Sequence, residues 1–217
     1  MPRSGVLPAL FLASCFGSGD GAVAMKSTDC GIEGTCGGAA DCYSICFCER
    51  GSTQVCEREC GPRGDRVQDL DEDAWSAEWE ALETEVLNRT NAARTEGACC
   101  GEKGCFSSMP PVTLNMTLRR SARAHAGDMG ERGYTSHDSP DGRTAFDRIR
   151  ESGFRGCAIG ENIAVGQATP TEVVESWLAS PEHCANIMTE DFDALGVGYY
   201  FAPSHIEMHI WVQNFGG

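Results

Sequence analysis

Thirteen cysteines in 217 residues constrain this chain more than any other feature. Such a density is hard to keep inert in a reducing cytosol, and no zinc-ribbon pattern of paired C-x2-C motifs absorbs it. The sequence therefore reads as an exported, disulfide-bonded protein. The amino terminus agrees: Arg3 supplies a short positive region, Val6 to Phe16 is mostly apolar, and the run is too short to span a bilayer. Residues 1–24 are read as export signal and tether. Two processing sites compete within them. Leu12-Ala13-Ser14-Cys15 resembles a bacterial lipobox, residues 12–15, which would make Cys15 the acylated first residue of a lipid-anchored envelope protein. Ala22-Val23-Ala24 fits an ordinary cleavage site before Met25, which would release a periplasmic or extracellular one. The lipobox is the preferred reading. Either choice removes Cys15 from the thirteen and leaves twelve, an even number as a fully paired set requires.

The distribution of the remaining cysteines divides the chain. Seven lie between Cys30 and Cys60 among Gly, Glu and Arg with few large apolar residues, so residues 30–61 are expected to form a small disulfide module without a core of its own. Seven is odd, so at least one of these cysteines is free or pairs with the carboxy-terminal part. Residues 62–78 form an acidic linker, and 79–217 the main domain. With 17 basic against 32 acidic residues the formal charge is -15, which repels a phosphate backbone and argues against nucleic acid as a partner.

Within the main domain, Trp79, Leu82, Val86 and Leu87 recur at helical spacing, as do Leu118, Ala122, His125, Ala126 and Met129; the two helices flank a Cys-rich loop at 97–111. Thr169, Pro170 and Glu172 form a helix start with a capping box ahead of Val173, Val174, Trp177 and Leu178. Ser180-Pro181 ends that helix and caps a short one whose Cys184, Ile187 and Met188 face inward. Strand-like runs lie at 162–165, 195–201 and 206–215, the last two as a hairpin. Helices around a small sheet give an α+β layered domain.

Five motifs follow in order: AHAGDM from Ala124, HDSPDG from His137, GENIA from Gly160, WLASPEHCAN from Trp177, and GVG at 196–198 followed by WVQNFG from Trp211. Together they resemble the CAP superfamily of cysteine-rich secretory proteins (the SCP-like extracellular domain), bacterial type. The resemblance implies a three-layer α-β-α sandwich with a surface cleft lined by His and Glu. Carried over by motif, His137, Glu161 and His183 are the cleft residues. Two imidazoles beside a carboxylate can ligate a divalent metal such as zinc, with His137 and His183 as ligands and an open position for water. Many eukaryotic members have a second cleft Glu three residues after the helix Trp. Ser180 stands there in this chain, which weakens any chemistry that needs two acids.

Other residues carry quieter expectations. His125, on an apolar helix face, reads as a core histidine, and His205 and His209 as exposed. A disulfide between Cys157 and Cys184 would brace two of the cleft residues. Asn88 and Asn115 stand in glycosylation sequons, relevant only in a eukaryotic secretory pathway. The chain lacks Gly-x-Ser-x-Gly and His-Glu-x-x-His, leaving Ser139 as a weak nucleophile candidate. The expectation for function is a non-catalytic exported CAP protein binding a lipid, envelope component or protein ligand at the His/Glu cleft. The alternatives are a metal-assisted peptidase or esterase with Glu161 as its base, and a purely structural envelope protein.

Overall fold

The computed structural model describes residues 75–217 throughout, together with the backbone of three short strands upstream: β1 (Val23–Met25), β2 (Cys42–Phe47) and β3 (Val55–Cys60). Cys15, the lipobox and the rest of residues 1–74 lie outside the described residues.

The main domain opens with α1 (Ala77–Glu96). Ser76 caps it by accepting from the Trp79 amide, and Glu78 and Glu80 in the first turn complement the helix dipole. A Cys-rich turn follows, in which β4 (Ala98–Cys99) and β5 (Cys105–Phe106) pair antiparallel around a 3-10 turn at Gly101–Lys103. Next come β6 (Thr113–Leu114), α2 (Met116–Arg132), α3 (Ala145–Glu151), β7 (Ile159–Val165), α4 (Pro170–Ala179), α5 (Pro181–Ile187), β8 (Ala194–Phe201) and β9 (His209–Gly216). The capping box at Thr169 and Glu172 is present, with Pro170 in the first turn. Ser180 precedes α5 but makes no cap bond with its side chain. Asn115 caps α2, accepting from the amides of Thr117 and Leu118, so this sequon asparagine is committed to the helix start.

The strands form a sheet in the order β1-β7-β9-β8-β6, antiparallel except where β6 runs parallel to β8. Side chains alternate across it. On one face Leu195, Val197 and Tyr199 of β8 and Trp211 and Phe215 of β9 join Val86, Val173, Trp177, Cys184 and Ile187 from α1, α4 and α5. On the other, Ile210 and Val212 of β9 meet Ala122, Ala126 and Met129 of α2. This is the expected α-β-α sandwich. The glycines of the GVG motif set the distance of α2 from the sheet. A Cβ on Gly196 would fall 2.0 Å from the Arg119 nitrogen and one on Gly198 2.3 Å from the Ala122 carbonyl carbon, so only glycine permits this backbone contact.

Two polar knots hold the layers together. Glu83 of α1, fully buried, accepts from Trp75 Nε1 (2.7 Å), Arg119 Nε (3.0 Å), Arg123 Nη2 (2.6 Å) and the Tyr199 amide (3.2 Å), joining α1, α2 and β8. Arg94 donates to the carbonyls of Pro110, Ile187, Thr189 and Phe192. Its guanidinium thereby satisfies backbone acceptors that the end of α5 leaves open.

The disulfides correct one expectation. Cys184 bonds Cys100, not Cys157, and Cys99 bonds Cys105. The inward face of α5 packs on the Cys-rich turn rather than on the segment before β7, and Lys103 reaches Glu182 of α5 at 3.0 Å on the same contact. Cys100 and Cys184 are both part of the core. Cys157 is disulfide-bonded as well. The hairpin tip also differs from expectation: β9 begins at His209, and His205 is buried rather than exposed.

Candidate functional site

Glu161 is the third residue of β7, inside the strand rather than at its start, and its carboxylate points to the face covered by α2 and α3. The short helix α3, which hydrophobic spacing does not reveal, starts at a Thr144–Asp147 capping box and aims Arg148 at that carboxylate. Arg148 Nη2 donates to both Glu161 oxygens, at 3.0 and 2.9 Å, while its Nη1 donates to Ser139 Oγ (3.2 Å) and the Arg143 carbonyl (3.1 Å). His137 Nδ1 lies 2.9 Å from Glu161 Oε1, and because a carboxylate only accepts, this nitrogen carries the proton. Asn214 of β9, its carboxamide oriented to suit its neighbours, donates to Oε2 at 3.0 Å and accepts from Ser121 Oγ and the Ala122 amide. Both carboxylate oxygens are thus taken twice over.

The electrostatics follow from this shell. Burial alone would push the Glu161 carboxyl up, but the adjacent Arg148 charge and the His137 hydrogen bond overcome it and hold the group at about 2. It is ionised at any physiological pH. A second imidazole stands close by: His125 Nε2 is 3.9 Å from Glu161 Oε1 and donates to the Ser136 carbonyl at 2.9 Å. Burial lowers His125 to about 4, so the ring is neutral at pH 7, and its Nδ1 has no partner among the described residues. His125 is the buried core residue that its helix position implied. It is also part of the site's electrostatic shell, which the helical pattern could not show.

The three expected site residues are placed as follows. His137 and Glu161 meet directly. His183 belongs to α5, on the other face of β7: its carbonyl accepts from Asn162 (3.3 Å), the next residue of the strand, and its Nδ1 lies 2.9 Å from Ser180 Oγ. Asn186 of α5 is on that face too, donating to Asn162 Oδ1 and to the Glu161 carbonyl. Consecutive strand residues point to opposite faces, so the Glu161 carboxylate and α5 are separated by the strand. Ser180, at the position where the resemblance to eukaryotic CAP members would put a second Glu, is a hydrogen-bond partner of His183. Ser139 is tied to Arg148. Arg148, His125 and Asn214 are the participants that motif reading missed; only the capping box at 144–147 announces the helix that carries Arg148.

This donor set does not fit a divalent cation held by several protein ligands. The Glu161 oxygens are already committed to a guanidinium, and among the described residues no group of three or more His, Cys, Asp or Glu side chains is arranged to hold a metal ion. Beside the His125 Nδ1, His137 Nε2 is a buried nitrogen with no partner among the described residues and, in the tautomer that Glu161 selects, an acceptor.

The sequence profile of the cysteine-rich secretory protein family, CAP, matches residues 87–215, a span that holds this site and the sandwich from the second half of α1 onward. The chain belongs to this family. Among curated relatives of this CAP protein, the uncharacterized protein YkwD of Bacillus subtilis (strain 168) is 37% identical over 137 residues, which cover 63% of this chain and 48% of that one. The uncharacterized membrane protein YlbC of the same organism is 25% identical over 146 residues, covering 67% and 37%. The chain thus matches at most about half the length of these relatives. A solved extracellular protein containing a SCP domain from Bacillus anthracis shares the fold, with a TM-score of 0.54 and 24% identity over 76% of this chain and 46% of that one.

Proposed function

We propose that this CAP protein is exported and non-catalytic, and that it binds a ligand or envelope partner at His137 through Glu161 and Arg148. The observation that carries the reading is the saturation of Glu161. A general base near neutral pH needs a carboxyl whose affinity for a proton is raised; here it is held at about 2, with both oxygens engaged. The residue instead orients His137, leaving Nε2 to accept a hydrogen bond from a hydroxyl or amide of the bound molecule. Export is supported by the Cys99–Cys105 and Cys100–Cys184 bonds, which persist in oxidising compartments, and by the extracellular relative from Bacillus anthracis. Among the described residues no helix is long and apolar enough to cross a membrane; acylation of Cys15 would supply a membrane anchor.

The test has two arms. The purified chain, with and without added zinc, should turn over neither casein nor p-nitrophenyl acetate. Native mass spectrometry of material taken from the producing cell should show a retained molecule that His137→Ala releases. Turnover abolished by Glu161→Gln in a folded variant would establish the hydrolase alternative instead.

A further inference from the structure

We infer that the Cys99–Cys105 disulfide is a thiol-exchange site, a surface bond that an external dithiol reductant opens while Cys100–Cys184 stays closed. The four cysteines of these two bonds divide by burial. Cys100 and Cys184 are 1% and 0% exposed and belong to the main core cluster, whereas Cys99 and Cys105 are both exposed. Cys99 and Cys100 are neighbours in sequence, yet one sulfur goes to solvent and the other into the core. The whole turn from Gly101 to Cys105 is exposed as well, and a Cβ added at Gly104 would meet no atom within 4 Å. An attacking sulfur therefore has open space beside the bond.

Access governs the rate of exchange, because the attacking thiolate must reach a sulfur of the bond. A reductant meets Cys99–Cys105 directly. To meet Cys100–Cys184 it must wait for the core to open, and a core open about 1% of the time slows the attack about a hundredfold. The fold also holds the two pairs differently once they are cut. Cys100 and Cys184 lie in the cluster that includes Trp177, Ile187 and Phe192, which keeps their thiols at a high effective concentration and favours reclosure. Cys99 and Cys105 face each other across a ladder of only two residue pairs, Ala98 with Phe106 and Cys99 with Cys105. A two-stranded hairpin that short is marginal without its cross-link, so the cut thiols separate.

The step balances with a dithiol as co-reactant. One thiolate of the reductant attacks a sulfur of the pair, forms a mixed disulfide and expels the other sulfur as a thiolate, which takes a proton from water. The second thiol of the reductant then resolves the mixed disulfide and releases the remaining sulfur. Two electrons and two protons pass to Cys99 and Cys105, and the reductant leaves as a disulfide. Opening frees the turn that carries Lys103, so the Lys103 contact with Glu182 of α5, at 3.0 Å, loses its support, while Cys100–Cys184 still fastens the segment to that helix. The exchange site is independent of the reading of His137.

Timed alkylation tests the assignment. The full chain, recovered oxidised and kept in native buffer, is treated with dithiothreitol for graded times and quenched with iodoacetamide. Digestion with trypsin and Glu-C then places Cys105 on Gly104–Arg119 and Cys184 on His183–Glu190, so the two bonds are read on separate peptides. Gly104–Arg119 should gain label at least about a hundredfold faster than His183–Glu190, and the gap should close when guanidinium chloride unfolds the chain. In the variant carrying Cys99→Ser and Cys105→Ser, His183–Glu190 should label as slowly as in the wild type. Equal rates for the two peptides in the native protein, or faster labelling of Cys184, overturn the assignment. So does accelerated labelling of Cys184 in the double variant, because the core bond would then not survive the opening of the surface one.

Discussion

Replacing Arg148 by methionine isolates the interaction on which the site depends. The variant keeps the length and much of the apolar stem of the side chain but removes the cation that donates to both Glu161 oxygens at 3.0 and 2.9 Å. Removing one partner of a buried ion pair strands the other, at a cost of about 3–5 kcal/mol. For a domain of this size that corresponds to a fall in Tm of roughly 10–15 °C. The pH dependence should change as well. In the wild type the Glu161 carboxyl titrates at about 2 in the folded state against an ordinary value of 4.5. Its stabilisation is therefore present above pH 4.5 and lost as pH falls through 2. A shift of this size is worth roughly 3 kcal/mol. Without Arg148 burial dominates, the folded carboxyl titrates above its ordinary value, and the variant should gain stability relative to wild type as pH falls from 7 to 5. The double variant Arg148→Met with Glu161→Gln, which removes both charges, should recover at least half of the loss. Denaturant unfolding followed by circular dichroism from pH 3 to 8 measures all of this. A single-variant cost below about 1 kcal/mol, or a double variant whose cost is the plain sum of the singles, would refute the reasoning.

Other outcomes follow from the same geometry. His125 is held at about 4 by burial, against 6.5 in the unfolded chain, so the unfolded state takes up its proton first and stability falls as pH drops from 6.5 to 4, by roughly 3 kcal/mol. In His125→Gln this part of the pH–stability curve should be flat, as read by urea unfolding; an unchanged slope would assign it to other groups. The buried Cys100–Cys184 disulfide and the exposed Cys99–Cys105 disulfide should differ in weight. Chain-entropy arguments give about 4–5 kcal/mol for Cys100–Cys184, which closes a separation of 84 residues, and about 2 kcal/mol for Cys99–Cys105 with a separation of 6. Paired Cys→Ala variants compared by thermal unfolding should reproduce that order, and equal losses would count against it.

The parts of the fold legible in the sequence were those whose signal is local. The spacing of Leu118, Ala122, His125, Ala126 and Met129 marks the buried face of α2, and all five are fully buried. Thr169 and Glu172 mark the start of α4 because capping needs only neighbouring residues. The helix α3 has seven residues, too few for a helical period to register, and only its capping box betrays it. The polar knots were hidden for a different reason. Glu83 and Arg94 lie on the buried face of α1, where an apolar pattern leads the eye past charged residues, and their partners come from elements far along the chain. The site shows the same division. His137 and Glu161 stand in motifs that resemble the family's. Arg148 stands in no motif, although it determines what Glu161 can do. The Cys184 partner was misread because spacing along a chain does not say which way a helix faces.

Glu161 acts as a saturated anion that holds His137 in one tautomer. A 13C NMR titration of its side-chain carboxyl in the folded protein tests this most directly. A single transition at about 2 is expected, with the carboxylate ionised throughout the neutral range. A transition above about 6 would show a proton on Glu161 under working conditions, contradict the assignment, and return the residue to the role of a general acid or base.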